Sequence, residues 1–310
     1  MNFGGKTGEQ KSIEIIHRAL DAGINFIDTA DVYSRGASEA VTGKALKGKR
    51  DGVFLATKVH GKMGDGPNDK GNSRLHIIQG CEASLKRLGV DHIDLYQIHR
   101  PEGSIPIDET LGALDDLIRQ GKVRYIGTST YGAWQLVESL WQSEKLRFHR
   151  FVCEQPPYNL LDRRIERELL PMAKTYGFGI IPWSPLAGGM LTGKYQRGEQ
   201  GPAGSRYESG KFRSGEEVPQ GAWEVIEGVD KLAKEKGTST DAFALAWTLS
   251  NPVITSPIIG PRTMEQLEDN LKAVDVEITE DDKKRVDELI EPGTHVAAYY
   301  NADFGPHIYR

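Results

Sequence analysis

The stretch Ala19-Leu20-Asp21-Ala22-Gly23-Ile24-Asn25-Phe26-Ile27-Asp28 carries the fold in miniature. Leu20 completes a helical spacing begun at Ile13 and Ile16, Gly23 stands where a helix needs a left-handed stop, and Ile24–Asp28 is a short apolar run ending in a carboxylate. The same order recurs outward along the chain. Strands are expected at Val53–Lys58, Ile93–His99, Val123–Gly127, Phe151–Gln155, Gly179–Pro182 and Ser256–Ile259. Helical spacings lie between them at Leu75, Ile78, Leu85 and Leu88; Leu111, Leu114, Leu117 and Ile118; Ile165, Leu169, Met172 and Tyr176; and Trp223, Ile226, Val229 and Leu232. Gly89, Gly121, Gly177 and Gly237 follow those helices as stops.

Strands apolar on both faces and separated by helices belong in a parallel sheet covered by helices. With no linker-like break along 310 residues, the expected architecture is α/β, one (β/α)8 TIM barrel domain spanning residues 1–310. Only residues 1–5 remain for a strand ahead of the first helix, so most of the first strand is expected to be missing. Two long loops, 61–72 and 188–221, and a C-terminal tail, 291–310, are placed where a barrel keeps its function. The tail carries aromatic residues from Tyr299 to Tyr309 and follows an amphipathic stretch at Thr279–Ile290.

Four polar residues stand at or just past the C-terminal ends of expected strands: Asp28, Tyr33, Lys58 and His99. Singly each has a plain explanation as a cap, loop packing, a snorkelling chain or a turn. Together they form a chemical unit. A phenol, with a reference pKa of about 10, is a poor acid near neutrality unless a cation stabilises the phenolate. Lys58 could be that cation, Asp28 could fix it, and His99 could orient a substrate oxygen. A Schiff-base role for Lys58 in a barrel aldolase is the competing chemistry.

The runs Gly23–Tyr33, Thr57-Lys58, Asp94-Leu95-Tyr96-Gln97-Ile98-His99-Arg100-Pro101 and Gly121-Lys122-Val123-Arg124-Tyr125-Ile126-Gly127 strongly resemble the aldo-keto reductase superfamily in order and spacing. The resemblance implies an NADP(H)-dependent oxidoreductase acting on a small carbonyl or alcohol, with NAD(H) the alternative cofactor. Tyr33 would be the proton donor, tuned by Lys58 and Asp28, and His99 would orient the carbonyl. The same resemblance implies that Trp183 stacks on the nicotinamide and that Ser129 and Gln155 hold its carboxamide. Ser184, Pro185, Leu186 and Gly188 would line the pyrophosphate, with Lys194 and Arg206 as phosphate contacts. Gly260, Arg262, Gln266, Asp269 and Asn270 would take the adenosine end. Thr130 departs from a common Ser-Asn pair, so its hydroxyl could replace one carboxamide contact. A hairpin that related chains carry ahead of the first strand is also expected to be missing. A cofactor-binding regulatory subunit of the same fold, with little turnover, is the second functional reading.

Composition narrows the partners. A net charge of −5 without a basic cluster argues against nucleic acid or an anionic membrane. The two cysteines, Cys81 and Cys153, lie in segments that read as buried, pointing to free thiols and the cytoplasm. No run of apolar residues reaches membrane-spanning length and no His/Cys spacing calls for a metal. Gly188 with Gly193-Lys194 nearly spells a phosphate-binding P-loop, but Tyr195 stands where the magnesium-binding hydroxyl belongs.

Overall fold

The computed structural model describes residues 2–211 and 217–297. They pack as two compact units, residues 2–155 with 260–267, and residues 156–259 with 268–297. The aromatic tail from Tyr299 onward lies outside the described residues.

The first unit is built on five parallel strands in chain order: β1 (Phe26–Asp28), β2 (Phe54–Val59), β3 (Ile93–Ile98), β4 (Val123–Ser129) and β5 (Cys153–Gln155). Register places Asp28 beside Ala56, Lys58 beside Gln97, and Ser129 beside Gln155. Helices α1 (Glu9–Asp21), α2 (Ala37–Leu46), α3 (Arg74–Leu88), α4 (Ile107–Arg119) and α5 (Ala133–Leu146) lie side by side in the same order. Most strand residues are buried, while Arg124 and Tyr125 on β4 stay exposed; Leu55, Leu95, Ile98 and Ile126 are within 2% of complete burial. Each such side chain contributes about 1.5–3 kcal/mol.

Glycine stops Gly23, Gly89, Gly121, Gly177 and Gly237 all have φ between +67° and +93°, as their places after helices require. Gly43 serves closeness instead: a Cβ there would stand 2.1 Å from the Leu88 carbonyl oxygen, so α2 meets the end of α3 backbone to backbone. At the N-terminal strand ends, the Asp94 carboxylate accepts from the Arg50 guanidinium at 2.5 Å and from the Leu55 amide at 2.8 Å. This tie between β2 and β3 lies away from the expected catalytic edge, where barrels invest in stability.

In the second unit, β6 (Gly179–Ile180) continues as parallel bridges, Trp183 pairing with Pro157 on one side and Ile258 on the other, and Ile180 with Ile254. The expected strand Ser256–Ile259 is thus present only as bridges, since Pro257 has no amide hydrogen for the ladder. Helix α6 (Leu169–Tyr176) precedes β6, and α7 (Gln220–Glu235), α8 (Thr240–Leu249), α9 (Met264–Leu271) and α10 (Glu280–Leu289) follow it, α9 spanning the sequence boundary at 267/268. The order of parallel strands and helices is that of a TIM-like α/β fold; six strands, not eight, are formed among the described residues. Among those residues no helix is long and apolar enough to cross a membrane.

Candidate active site

The ends of β1, β2 and β3 put three of the expected residues on one edge. Asp28 closes β1, Lys58 is the last but one residue of β2, and His99 follows β3 with its amide donating to the Val59 carbonyl at 2.9 Å. Beyond β1 the chain stays on the β2 edge, because Thr29 N donates to Ala56 O at 3.0 Å and Asp31 N to Lys58 O at 3.1 Å. That path, closed by a turn from Tyr33 N to Ala30 O, delivers Tyr33 beside Lys58. The four sequence candidates converge in the first unit.

Lys58 is completely buried. Its ammonium donates to Asp28 Oδ2 at 2.5 Å and to the Thr29 carbonyl at 2.8 Å, and lies 5.1 Å from the Tyr33 ring centre. Burial pulls the ammonium toward neutrality, but the Asp28 charge and the Tyr33 oxygen outweigh it and raise the pKa above the usual lysine value. The site therefore holds a fixed positive charge. The opposite holds for His99: burial, then the charges of Lys58 and Arg100, press its pKa well below the ordinary histidine range. Its neutral ring meets Tyr33 edge to face at 5.6 Å.

Asp28 is braced from further along the sheet. Oδ1 accepts from Gln97 Nε2 at 3.0 Å and Gln155 Nε2 at 3.1 Å, and Gln155 also donates to Gln97 Oε1 at 3.2 Å. Both Gln155 amide hydrogens are thus engaged, which leaves its side-chain carbonyl as the group with acceptor capacity for a ligand. Ser129 Oγ donates to the Gln155 main-chain carbonyl at 2.8 Å, so its proton is committed and it keeps acceptor capacity alone. Thr130 turns its hydroxyl to Ser129 O at 2.6 Å, so in this arrangement that hydroxyl's proton is committed within the turn.

Gln97 was not among the residues expected here. Its signal is an uncharged polar residue in register with Lys58 within a strand that is otherwise nearly all apolar. Asp31 and Glu39 were missed as well. Glu39 is fully buried on α2, accepting from Thr57 Oγ1 at 2.6 Å and Arg87 Nε at 2.6 Å. Asp31 is 1% exposed; Oδ1 accepts from Val32 N at 2.6 Å, whereas Oδ2 is buried without a hydrogen-bond partner.

Burial, then repulsion from Glu39, pushes the Asp31 pKa up to about 7, against opposing pulls from the Val32 amide, Arg87 and Lys58. Below about pH 4 Asp31 is protonated in both the folded and unfolded chains; as pH rises the unfolded chain ionises first, withdrawing stability until the folded group ionises near pH 7. The loss across that window is on the order of 4 kcal/mol. Asp31→Asn keeps the acceptor for Val32 but buries an unpaired amide hydrogen, costing roughly 1–3 kcal/mol. Melting curves from pH 4 to 8.5 are expected to cross, the variant gaining on the wild type as pH rises; parallel curves would remove this assignment.

The remaining sequence candidates divide between the units. In the first, Asn2 Nδ2 donates to Gly260 O at 2.9 Å, Thr7 Oγ1 to Arg262 O at 3.4 Å, and Arg262 N to Gln266 Oε1 at 2.8 Å, so the chain start shapes the 260–262 turn. In the second, Trp183 is half-buried and fixed by its backbone bridges. After it, Ser184, Ala187, Gly188 and Gly189 take φ of +57°, +47°, +67° and +109°. The loop 188–221 thus begins inside a short turn of helix, Ala187–Thr192, and its residues 212–216 lie outside the described ones. Pro185 is buried, and Leu186 accepts from Gly189 N at 2.8 Å. Lys194 folds back so that a Cβ on Gly189 would stand 3.0 Å from its ammonium. A left-handed, glycine-containing backbone turn with an ammonium against it is the kind of concavity that takes a phosphate. Arg206 is half-buried beside Tyr207, whose amide donates to Tyr195 Oη at 3.3 Å; Asp269 pairs with Lys272 at 2.7 Å, and Asn270 is buried.

Both cysteines are free and buried, and burial pushes the Cys81 thiol up to about 12. Among the described residues no three His, Cys, Asp or Glu side chains gather closely enough to hold a metal ion.

Residues 1–291 match the model of the aldo/keto reductase family. The chain is 42% identical over 304 residues to the uncharacterized oxidoreductase YrpG of Bacillus subtilis, covering 94% of this chain and 90% of that one. It is 38% identical over 282 residues to a probable voltage-gated potassium channel subunit beta of Oryza sativa, covering 89% and 85%. A putative aryl-alcohol dehydrogenase of Schizosaccharomyces pombe is 35% identical over 304 residues, covering 90% and 85%. A family match over nearly the whole chain, on a fold that gathers Asp28, Tyr33, Lys58 and His99 at one strand edge, makes this chain a member of the aldo/keto reductase family, an NAD(P)H-dependent oxidoreductase.

Proposed function

We propose that this chain is a cytoplasmic enzyme that reduces a small aldehyde or ketone to its alcohol with NADP(H), or runs the reverse reaction, with Tyr33 as the proton donor. The observation that carries the reading is the completely buried Lys58 ammonium between the Asp28 carboxylate and the Tyr33 phenol. The reduced cofactor supplies the hydride when bound. The chain's own residues supply the proton: Tyr33 releases it to the carbonyl oxygen, and Lys58, held by Asp28, stabilises the charge left on the phenol oxygen. Neutral His99 donates a hydrogen bond to the same carbonyl, fixing its direction.

For the cofactor, the Ser184–Gly189 turn with Lys194 fits a phosphate-bearing group. Pro185 and Leu186 complete that turn, and Arg206 is a further phosphate contact. Ser129 and Gln155 would accept hydrogen bonds from the carboxamide NH2, and Trp183 would lie against the nicotinamide. Gly260, Arg262, Gln266, Asp269 and Asn270 would take the adenosine end. The Arg262 guanidinium suits the 2′-phosphate of NADP(H) over NAD(H). Substrate choice is assigned to the loops 61–72 and 188–221 and the tail 291–310.

The likeness to a chain named as a potassium channel subunit beta supports the second reading, a cofactor-binding regulatory subunit with little turnover. The full proton-transfer set supports the first. The test is NADPH oxidation followed by absorbance with nitrobenzaldehyde as acceptor. Steady turnover is expected; tight NADPH binding with no turnover would transfer the assignment to the regulatory reading.

A further inference from the structure

Glu154 precedes Gln155 on β5 and is completely buried. Its carboxyl group is aimed at the turn that follows β4. Oε1 accepts from Tyr131 N at 3.2 Å and Oε2 accepts from the Thr128 hydroxyl. Between those anchors Thr130 has φ +63°, the left-handed region, which is costly for a β-branched residue. The Gln155 main-chain carbonyl takes Thr130 N at 3.2 Å and Ser129 Oγ at 2.8 Å. The turn is thus tied to β5 through two successive residues, one by its backbone and one by its acid.

Charged and titratable groups around Glu154 are few: Arg100 after β3, Tyr131 on the turn itself, and Cys153 on the same strand. Burial pushes the acid up to about 8, and the hydrogen bonds from Thr128 and Tyr131 and the Arg100 charge pull the other way. A buried acid is costly, and here its acceptor capacity is spent on a backbone that would otherwise relax.

We propose that Glu154 is a positioning residue for the cofactor: its carboxyl group holds the strained Ser129–Tyr131 turn in the shape that presents Ser129 and Gln155 to the nicotinamide carboxamide. The proposal rests on the reading of Ser129 and Gln155 as carboxamide partners, and goes beyond it in naming what keeps them in place.

The test measures the NADPH dissociation constant by fluorescence titration, with kcat at saturating cofactor, for Glu154→Gln, Thr130→Gly, the two together, and Ser129→Ala. Glu154→Gln is expected to weaken NADPH about tenfold, as loss of one buried hydrogen bond does, with a much smaller change in kcat. Thr130→Gly, which removes the strain, is expected to restore most of that affinity in the double variant. Weakened binding that Thr130→Gly does not rescue, or unchanged binding in Glu154→Gln while Ser129→Ala weakens it, overturns the positioning role. Unchanged binding in Ser129→Ala overturns the carboxamide reading, and the proposal with it. Should Glu154→Gln fail to fold, Thr128→Val removes one of the same hydrogen bonds: a weaker NADPH complex with kcat little changed supports the role, and unaltered affinity overturns it.

Discussion

Tyr33→Phe is expected to lower kcat/KM for carbonyl reduction by about 10²- to 10⁴-fold, while leaving the NADPH dissociation constant and the melting temperature close to wild type. The change removes one oxygen and keeps the ring. The edge-to-face contact with His99, the stacking distance to Lys58 and the turn that places residue 33 depend on the ring and backbone, so they persist. The proton is lost, and with it the oxygen that interacts with the Lys58 ammonium. Steady-state kinetics beside a cofactor titration separate the two effects, and activity within about tenfold of wild type would remove Tyr33 from the donor role.

Lys58→Met is expected to cost the fold as well as the reaction. The ammonium is completely buried and pairs with a carboxylate whose side chain is 8% exposed; removing it leaves the Asp28 charge with only Gln97 and Gln155 as donors. Breaking a buried pair from one side costs about 3–5 kcal/mol, because desolvation of the remaining charge is no longer offset. Adding Asp28→Asn to Lys58→Met removes that orphaned charge. The double variant should recover much of the stability in urea denaturation and none of the turnover. Stability in Lys58→Met equal to wild type would mean that Asp28 is far better solvated than its surroundings imply.

Sequence reading located Asp28, Lys58 and His99 because strand ends announce themselves: an apolar run stops and a polar residue follows. Tyr33 came with them as the phenol whose acidity Lys58 could sustain, at the end of a run that resembles the family. Gln97 did not, since an amide inside a strand looks the same whether it faces solvent or braces a carboxylate. Glu39, Asp31 and Glu154 were invisible for a related reason. Charged residues read as surface, and Glu39 is buried only because Arg87, 48 positions later, arrives beside it. Helices α2 and α8 left little periodic trace because both are buried around much of their circumference, α8 through the run Ala242 to Thr248. Nor could the left-handed turn at Thr130 be read from a β-branched residue that normally avoids it.

The chain of contacts from Arg87 on α3 through Glu39 on α2 to Thr57 on β2, with Gly43 holding the two helices backbone to backbone, bears on how such an enzyme can diverge. Mutations that unpair Lys58 from Asp28, or that fall in the helices behind them, disturb one interlocked body and are removed by selection through folding before activity is weighed. The loop 61–72 is moored differently, with Gly71 and Asn72 at its end making ties to His60, Glu102 and Arg100 while most residues between are exposed. Drift there is cheap. Under the proposed function, a lineage built this way can explore new carbonyl substrates while inheriting its acid unchanged.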